Sequence, residues 1–413
     1  MMDRRQFLKS GAAFIGASAF IPPVFQKALW VRQQQGEPGG LADGGRALVV
    51  VQLAGGNDGL NTVVPVTDGL YYDARRGLSV SQSSALPLNS TTGLHPAMSR
   101  IKELWDQGSV AVVEGVGYSK PNFSHFVSMD IWQTADPELK LADGWLGRYF
   151  ERNKGGRQAP FPGLAIGGTL PTSFSTPAVA VPSVGSISNY QFQSDLQVPS
   201  IATQRLAAML SLYGENTSGS GYADLLHKTI QSAVASTNVL QDANSKYKTN
   251  LQYESNSLAS ALRLAVATIA ADIGVKVFHV TIGGFDTHAN QLVDQPRQLG
   301  ILSTALYTFY SDLKAKGLDS KVLIMTWSEF GRRVKSNASQ GTDHGTAAPV
   351  FFIGTPVKGG LYGQRPSLGN LDDGNLRYTV DFRSVYATAL ESWLGVSSRD
   401  VLDGNFETIP LLK

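Results

Sequence analysis

Three of the six histidines in this sequence sit inside short polar clusters. His125 lies in Pro121-Asn122-Phe123-Ser124-His125-Phe126, His288 in Gly283–Gln291, and His344 in Gly341-Thr342-Asp343-His344-Gly345-Thr346. Two more clusters carry carboxylates and amides, Asn57-Asp58-Gly59-Leu60-Asn61 and Trp327-Ser328-Glu329-Phe330-Gly331-Arg332-Arg333. Imidazole and carboxylate donors without a thiolate suit a divalent ion such as zinc, manganese or iron, or calcium where oxygens dominate. Asp286 and His288 stand two apart, a spacing that cannot easily share one helical face but lets both reach one ion from a loop. Ser124 opens a helical pattern, where a hydroxyl either caps the helix or, beside an ion, becomes a nucleophile. Plainer readings stay open for the others. Asp58 before Gly59 is ordinary turn chemistry, Glu329 can pair with Arg332 or Arg333, and Asp343-His344-Gly345 can be a polar loop. His95, His227 and His279 fall in helical or strand contexts and read as packing or surface residues.

The elements that must position these clusters alternate between strand and helix. Ala47–Leu53 is a continuous apolar run rich in β-branched residues, as a buried parallel strand requires. Further strands are expected at Val110–Val116, Val275–Ile282, Lys321–Thr326 and Pro349–Ile353. Helices are expected at Pro96–Gln107, around Gln298–Lys316, and at Tyr378–Leu394. Residues 151–200 are rich in Pro, Ser and Gly and read as an insertion, followed by packing helices from Ser200 to about Ala271. Strands interleaved with helices predict a three-layer α/β/α fold with a mostly parallel central sheet. In such sheets the chemistry gathers beyond the carboxyl ends of the strands, where the clusters fall.

Composition narrows the function. The chain has 413 residues, 42% of them hydrophobic, and no cysteine, so disulfide frameworks and thiolate metal sites are excluded. Its formal charge is +2. Residues 1–36 hold five basic residues and one acidic, which leaves 30 basic against 32 acidic in the remainder. The basic excess therefore belongs to the N-terminus, and nothing suggests a nucleic-acid surface. Arg4-Arg5-Gln6-Phe7-Leu8-Lys9 followed by the mild apolar stretch Gly11–Phe25 reads as a twin-arginine signal over residues 1–30, with a linker at 31–46. That pattern predicts passage through the twin-arginine translocase and a periplasmic or extracellular destination, with no transmembrane segment in the mature chain. Residues 47–413 then form one domain.

The order of motifs resembles the exported family known as "domain of unknown function 1501". The matching stretches are Ala54–Pro65, Leu94–Pro96, Ser124–Asp136, Gly283–Gln291, Ser328–Arg333, Asp343–Gly354 and Asp381–Trp393. More distantly, the order is similar to the alkaline phosphatase and sulfatase superfamily. That resemblance implies an alkaline-phosphatase-like fold, metal ligands at Asp58, Asp286, His288, Glu329 and His344, and a nucleophile at Ser124. Where the superfamily has Asp-His-Gly after the fourth strand, this chain reads Glu329-Phe330-Gly331, which weakens one of two expected metal sites.

Two functions follow. In the first, an exported hydrolase acts on an anionic phosphate or sulfate ester. Arg332 or Arg333 would clamp the anion, and Asn57, Asn61 and His125 would orient substrate or ligands. In the second, the chain is a non-catalytic binding or assembly protein that retains only the fold, a reading that Phe330 favours.

Overall fold

Ala47–Leu53 (β1) is buried along its whole length because each side chain meets one helical layer or the other. Ala47, Val49, Val51 and Leu53 join one hydrophobic core, whereas Leu48 and Val50 join a second on the opposite face. The protein is described by a computed structural model covering residues 45–153, 161–188 and 236–413, with residues 190, 208 and 233. The twin-arginine segment, nearly all of the linker and much of the helical stretch from Ser200 lie outside the described residues.

The elements that frame the central sheet include α1 (Ser99–Asp106), β2 (Val110–Gly117), α2 (His125–Thr134), α3 (Trp145–Arg152), β3 (Gly163–Ile166), β4 (Ser183–Val184) and α4 (Ser257–Ala270). They continue with β5 (Val277–Ile282), α5 (Gln291–Ala315), β6 (Val322–Trp327), β7 (Ala348–Ile353), β8 (Gly360–Tyr362), β9 (Val380–Asp381) and α6 (Phe382–Ala387). The central sheet is nine-stranded in the order β8-β2-β7-β6-β1-β5-β3-β4, with β9 also paired to β2. Only β7 runs against its neighbours, being antiparallel to both β2 and β6. Helices α1, α4 and α5 cover one face, and α2, α3 and α6 cover the other. The α/β/α architecture expected from the sequence is therefore present. Among the described residues no helix is long and apolar enough to cross a membrane.

Several boundaries differ from the sequence reading. The stretch read as an insertion contributes β3 and β4 to the central sheet. Its Pro and Gly residues interrupt the apolar runs, which hides short strands from periodicity. Helix α5 begins at Gln291 rather than near Gln298, and Pro296 lies inside it. Proline lacks an amide hydrogen and breaks the local pattern, yet the longer helix tolerates the lost bond. The tail is not one helix. It enters as β9, becomes α6, and widens to a π-helical turn at Thr388–Trp393.

A small lobe sits beside the carboxyl end of β1. It contains a helical turn at Gly59–Thr62 and a three-stranded sheet formed by Val63–Val64, Gly93–Leu94 and Leu86–Pro87. Asp58 anchors the lobe. Its carboxylate accepts from Arg75 Nη1, from Arg75 Nη2 at 2.9 Å and from Gln291 Nε2 at 2.5 Å. The remaining Arg75 donors reach the Val334 and Arg333 carbonyls at 2.5 and 2.9 Å. Both side chains of the Asp58–Arg75 pair are fully buried.

Removing one partner of such a pair strands an uncompensated charge. Arg75→Met is expected to cost about 3–5 kcal/mol of folding stability, read from urea unfolding. A loss below about 1 kcal/mol, the worth of an exposed pair, would show that the pair does not hold the lobe.

Candidate metal centre

The loops after β1, β2, β5 and β6 leave the sheet at one edge. The antiparallel direction of β7 brings its leading loop to the same edge. Five segments therefore meet there: Gly55–Gly56, Phe123–His125, Phe285–His288, Ser328–Glu329 and Thr342–His344. Gly55 shows how tightly they meet. Its φ is +119°, and a Cβ there would lie 2.4 Å from the Asp286 amide nitrogen.

Asp286 is the centre of the cluster, with its side chain 49% exposed. His125 Nε2 stands 3.5 Å from Oδ2. His288 Nε2 and His344 Nε2 stand 3.1 and 3.2 Å from Oδ1. His125, Asp286 and His344 offer donor atoms that all lie within 4.8 Å of one another. His288 Nε2 and His344 Nε2 are 2.9 Å apart.

The other nitrogen of every ring is taken by an acceptor. His125 Nδ1 meets Glu329 Oε1 at 2.8 Å, His288 Nδ1 meets Asp343 Oδ1 at 3.1 Å, and His344 Nδ1 meets the Phe123 carbonyl at 2.7 Å. A carboxylate or carbonyl only accepts, so each neutral ring carries its proton on Nδ1 and turns the Nε2 lone pair inward. His125 Nε2 lies toward Oδ2 and the other two Nε2 atoms toward Oδ1, where Arg332 already donates, and the crowded imidazole lone pairs repel less when a further cation stands among them. This is the arrangement in which ligating histidines are oriented by outer acceptors. The donor set suits a four-coordinate divalent ion.

The charges of Asp286 and His344 agree with that reading, whereas His125 is shifted toward its protonated form. Burial pushes the Asp286 carboxyl up, but the Arg332 hydrogen bond and the nearby His344 ring outweigh it and hold it at about 2. Burial lowers His344 despite its hydrogen bonds, which keeps the imidazole in the neutral form an ion requires. The Glu329 hydrogen bond raises His125. Asn337 and His288 hold Asp343 low.

The structure divides the residues expected at this site. It gathers Asp286, His288, His344 and His125. Glu329 lies behind His125 rather than in the cluster, where its Oε1 also accepts from the Gly55 amide at 2.8 Å. Asp58 is committed to Arg75 and Gln291, so an ion pair and an amide occupy both oxygens where the resemblance implied a ligand. Asn61 accepts from the Tyr71 hydroxyl and donates to Leu78 O, both at 2.8 Å inside the small lobe, so it is packed rather than facing substrate. Asn57 is fully buried, accepting from Thr62 at 2.9 Å, with its Nδ2 unpartnered.

Neither arginine is a free clamp. Arg332 is buried and donates to Asp286 Oδ1 at 2.6 Å, to Gly56 O and Thr342 O at 2.7 Å, to Phe285 O at 3.0 Å, and to Gly55 O. Arg333 points elsewhere and pairs with Asp373 at 3.0 Å. Ser124 is exposed at the N-cap of α2, and its side chain makes no capping bond. Phe330 packs its ring 4.9 Å from that of His125 and 4.6 Å from that of His344, filling one flank with hydrocarbon. Sequence reasoning missed Asp343 and the Phe123 carbonyl as orienting groups. Adjacency to His344 was a signal for Asp343, whereas a backbone carbonyl leaves none.

The family described as "Protein of unknown function (DUF1501)" matches residues 106–404. The chain belongs to that family. No curated protein matches it. Among solved structures, a sulfatase from Pseudoalteromonas sp. is 12% identical, with 94% of this chain and 74% of that one covered and a TM-score of 0.39. The alkaline phosphatase of the Antarctic bacterium TAB5 is 11% identical, covering 76% and 94%, with a TM-score of 0.33. The C-terminal periplasmic domain of EcEptC from Escherichia coli is 10% identical, covering 85% and 83%, with a TM-score of 0.37. At these scores the likenesses carry no argument about chemistry, which rests on the side chains.

Protons compete with an ion for Nε2. Affinity for zinc is therefore expected to hold above neutral pH and to fall steeply as pH drops below about 6, through the imidazole range. Calorimetric titration across pH checks this, and affinity unchanged down to about pH 4, where carboxylates alone would still bind, would exclude imidazole ligands.

Proposed function

We propose that this DUF1501 protein is an exported, metal-dependent hydrolase of phosphate or sulfate esters that uses one divalent ion per chain. The observation that supports it most is the convergence of three imidazole Nε2 atoms on Asp286, each ring held from behind. His125, Asp286, His288 and His344 would hold the ion. Glu329, Asp343 and the Phe123 carbonyl keep the rings aimed. Three nitrogens and one carboxylate favour zinc, then manganese, over calcium, which prefers oxygen. A bound ion would polarise the ester oxygen and help generate a nucleophile at neutral pH.

The chain's own groups supply the rest. Ser124 precedes His125 and leaves its hydroxyl uncapped, so it is the side chain available to attack phosphorus or sulfur. The first turn of α2 offers unpaired amides to the developing negative charge. In the overall reaction water replaces the alcohol, and the alcohol and the acid anion leave. A single ion is favoured because Asp58 is neutralised by Arg75 and Phe330 occupies a flank of the cluster. The paired arginines at the N-terminus support export through the twin-arginine translocase.

Metal content by mass spectrometry tests this reading. About one equivalent of metal per chain is expected, as for a single tetrahedral site, and Asp286→Ala/His344→Ala should lose it while remaining folded. Absence of metal in both proteins after incubation with zinc and manganese would turn the reading to a binding protein. Glu329→Gln should weaken metal affinity by about 10–100-fold, as loss of an outer partner does. Ser124→Ala should keep the metal and lower ester turnover by more than about a hundredfold. Undiminished turnover would remove Ser124 as nucleophile.

A further inference from the structure

We propose that the ester bound at this centre is a monoanion with a flat apolar alcohol, an aryl sulfate or aryl phosphodiester, in preference to a dianionic phosphate monoester. The proposal rests on the hydrolase reading for turnover, but on the centre's charge and rim alone for binding.

Charge carries the first half. A dianion is favoured where surplus positive charge faces it. Here the carboxylates of Asp286, Glu329 and Asp343 stand among or directly behind the three imidazoles. One guanidinium, that of Arg332, opposes them. A divalent ion would bring this set only to neutrality. Arg332 cannot add a clamp, because its side chain is fully buried and its donors end on four backbone carbonyls and Asp286. Arg333, the next residue, is paired with Asp373. Among the described residues a second negative charge on the substrate therefore meets no dedicated cation, while a single charge suffices for contact with the ion.

The rim carries the second half. Eight large apolar side chains are strongly exposed among the described residues, and four of them belong to the segments that carry His125 or lead on from His288: Phe123, Phe126, Leu292 and Val293. Scattered exposed apolar residues are ordinary, but a concentration at one mouth marks a binding surface. Phe126 is 78% exposed and follows His125 directly. Phe123 accepts from His344 Nδ1 through its own carbonyl, which fixes its backbone at the cluster. Leu292 and Val293 are 53% and 66% exposed in the first turn of α5. Gln291 and Gln295 of that turn reach inward to Asp58, which directs the two apolar residues outward. Exposed aromatic and aliphatic side chains on the segments next to the ligands suit a ring on the leaving group.

Calorimetry on the zinc-loaded full chain tests both halves with ligands that are not hydrolysed. Phenylphosphonate and its monomethyl ester share the ring and head but differ in charge at alkaline pH, well above a second pKa of about 6. The monoester is expected to bind at least as tightly as the dianion. Tighter binding of the dianion overturns the charge argument, and binding of neither overturns the proposal. Phe126→Ser and Leu292→Ser should each weaken the aryl monoester by about threefold or more while leaving the methyl ester of methylphosphonate unaffected. Equal weakening of both ligands overturns the rim argument. If the binding order holds but no aryl sulfate or phosphodiester is turned over, the hydrolase reading fails and this one stands.

Discussion

A guanidinium taken out of water must find an acceptor for each of its donors, and Arg332 finds them in three different loops. It bonds to the carbonyls of Gly55 and Gly56 after β1, of Phe285 after β5 and of Thr342 before β7, and to the carboxylate of Asp286. The ends of three strands are thereby fixed to one point. The cluster of imidazoles exists because that point exists: His288 is two residues from Asp286, and His344 two residues from Thr342. An arginine that looked like a substrate clamp is the strut on which the centre is built.

The same economy of charge explains the neighbouring lobe. Asp58 follows the same strand as Gly55 and Gly56, yet it is turned away to Arg75, Gln291 and the small sheet. A carboxylate neutralised by a buried bidentate guanidinium has little left to offer an ion. Glu329 is treated similarly. Its Oε1 accepts from His125 and from the Gly55 amide, so it aims a ligand instead of being one. Carboxylates thus take three roles: Asp286 faces the cluster, Asp343 and Glu329 steer rings, and Asp58 holds structure.

Phe330 shows how one side chain reshapes such a site. Its ring lies against His125 and His344, and a Cβ on Gly56 would strike it at 2.5 Å. Hydrocarbon there limits the freedom of two imidazoles while adding no donor. Rigid rings with fixed Nδ1 partners favour a geometry that needs little rearrangement on binding an ion. The side chains of His288 and Asp286 are 44% and 49% exposed, so the centre opens to solvent.

Much of the fold was legible locally. The runs of β1, β2, β5, β6 and β7 were mostly apolar, broken only at positions such as Gln52, Glu114, His279 and Thr281, because strands between two layers bury nearly every side chain. The clusters stood out because polar residues concentrate where such strands end. β3 and β4 were not legible, since two- and four-residue strands broken by Pro and Gly carry no period. The site was legible in its residue types and not in its pairings. Sequence named Asp58, Asp286, His288, Glu329 and His344 as ligands, and His125 only as an orienting residue. Which carboxylate faces an ion, and which one faces an arginine, depends on contacts such as Asp58–Arg75 and Arg332–Asp286, 17 and 46 residues apart in the chain. Composition and periodicity set the layers and the edge at which chemistry collects, because burial acts residue by residue. Only the tertiary structure decided the role of each charge, because electrostatic partnership depends on distance in space and leaves no local pattern.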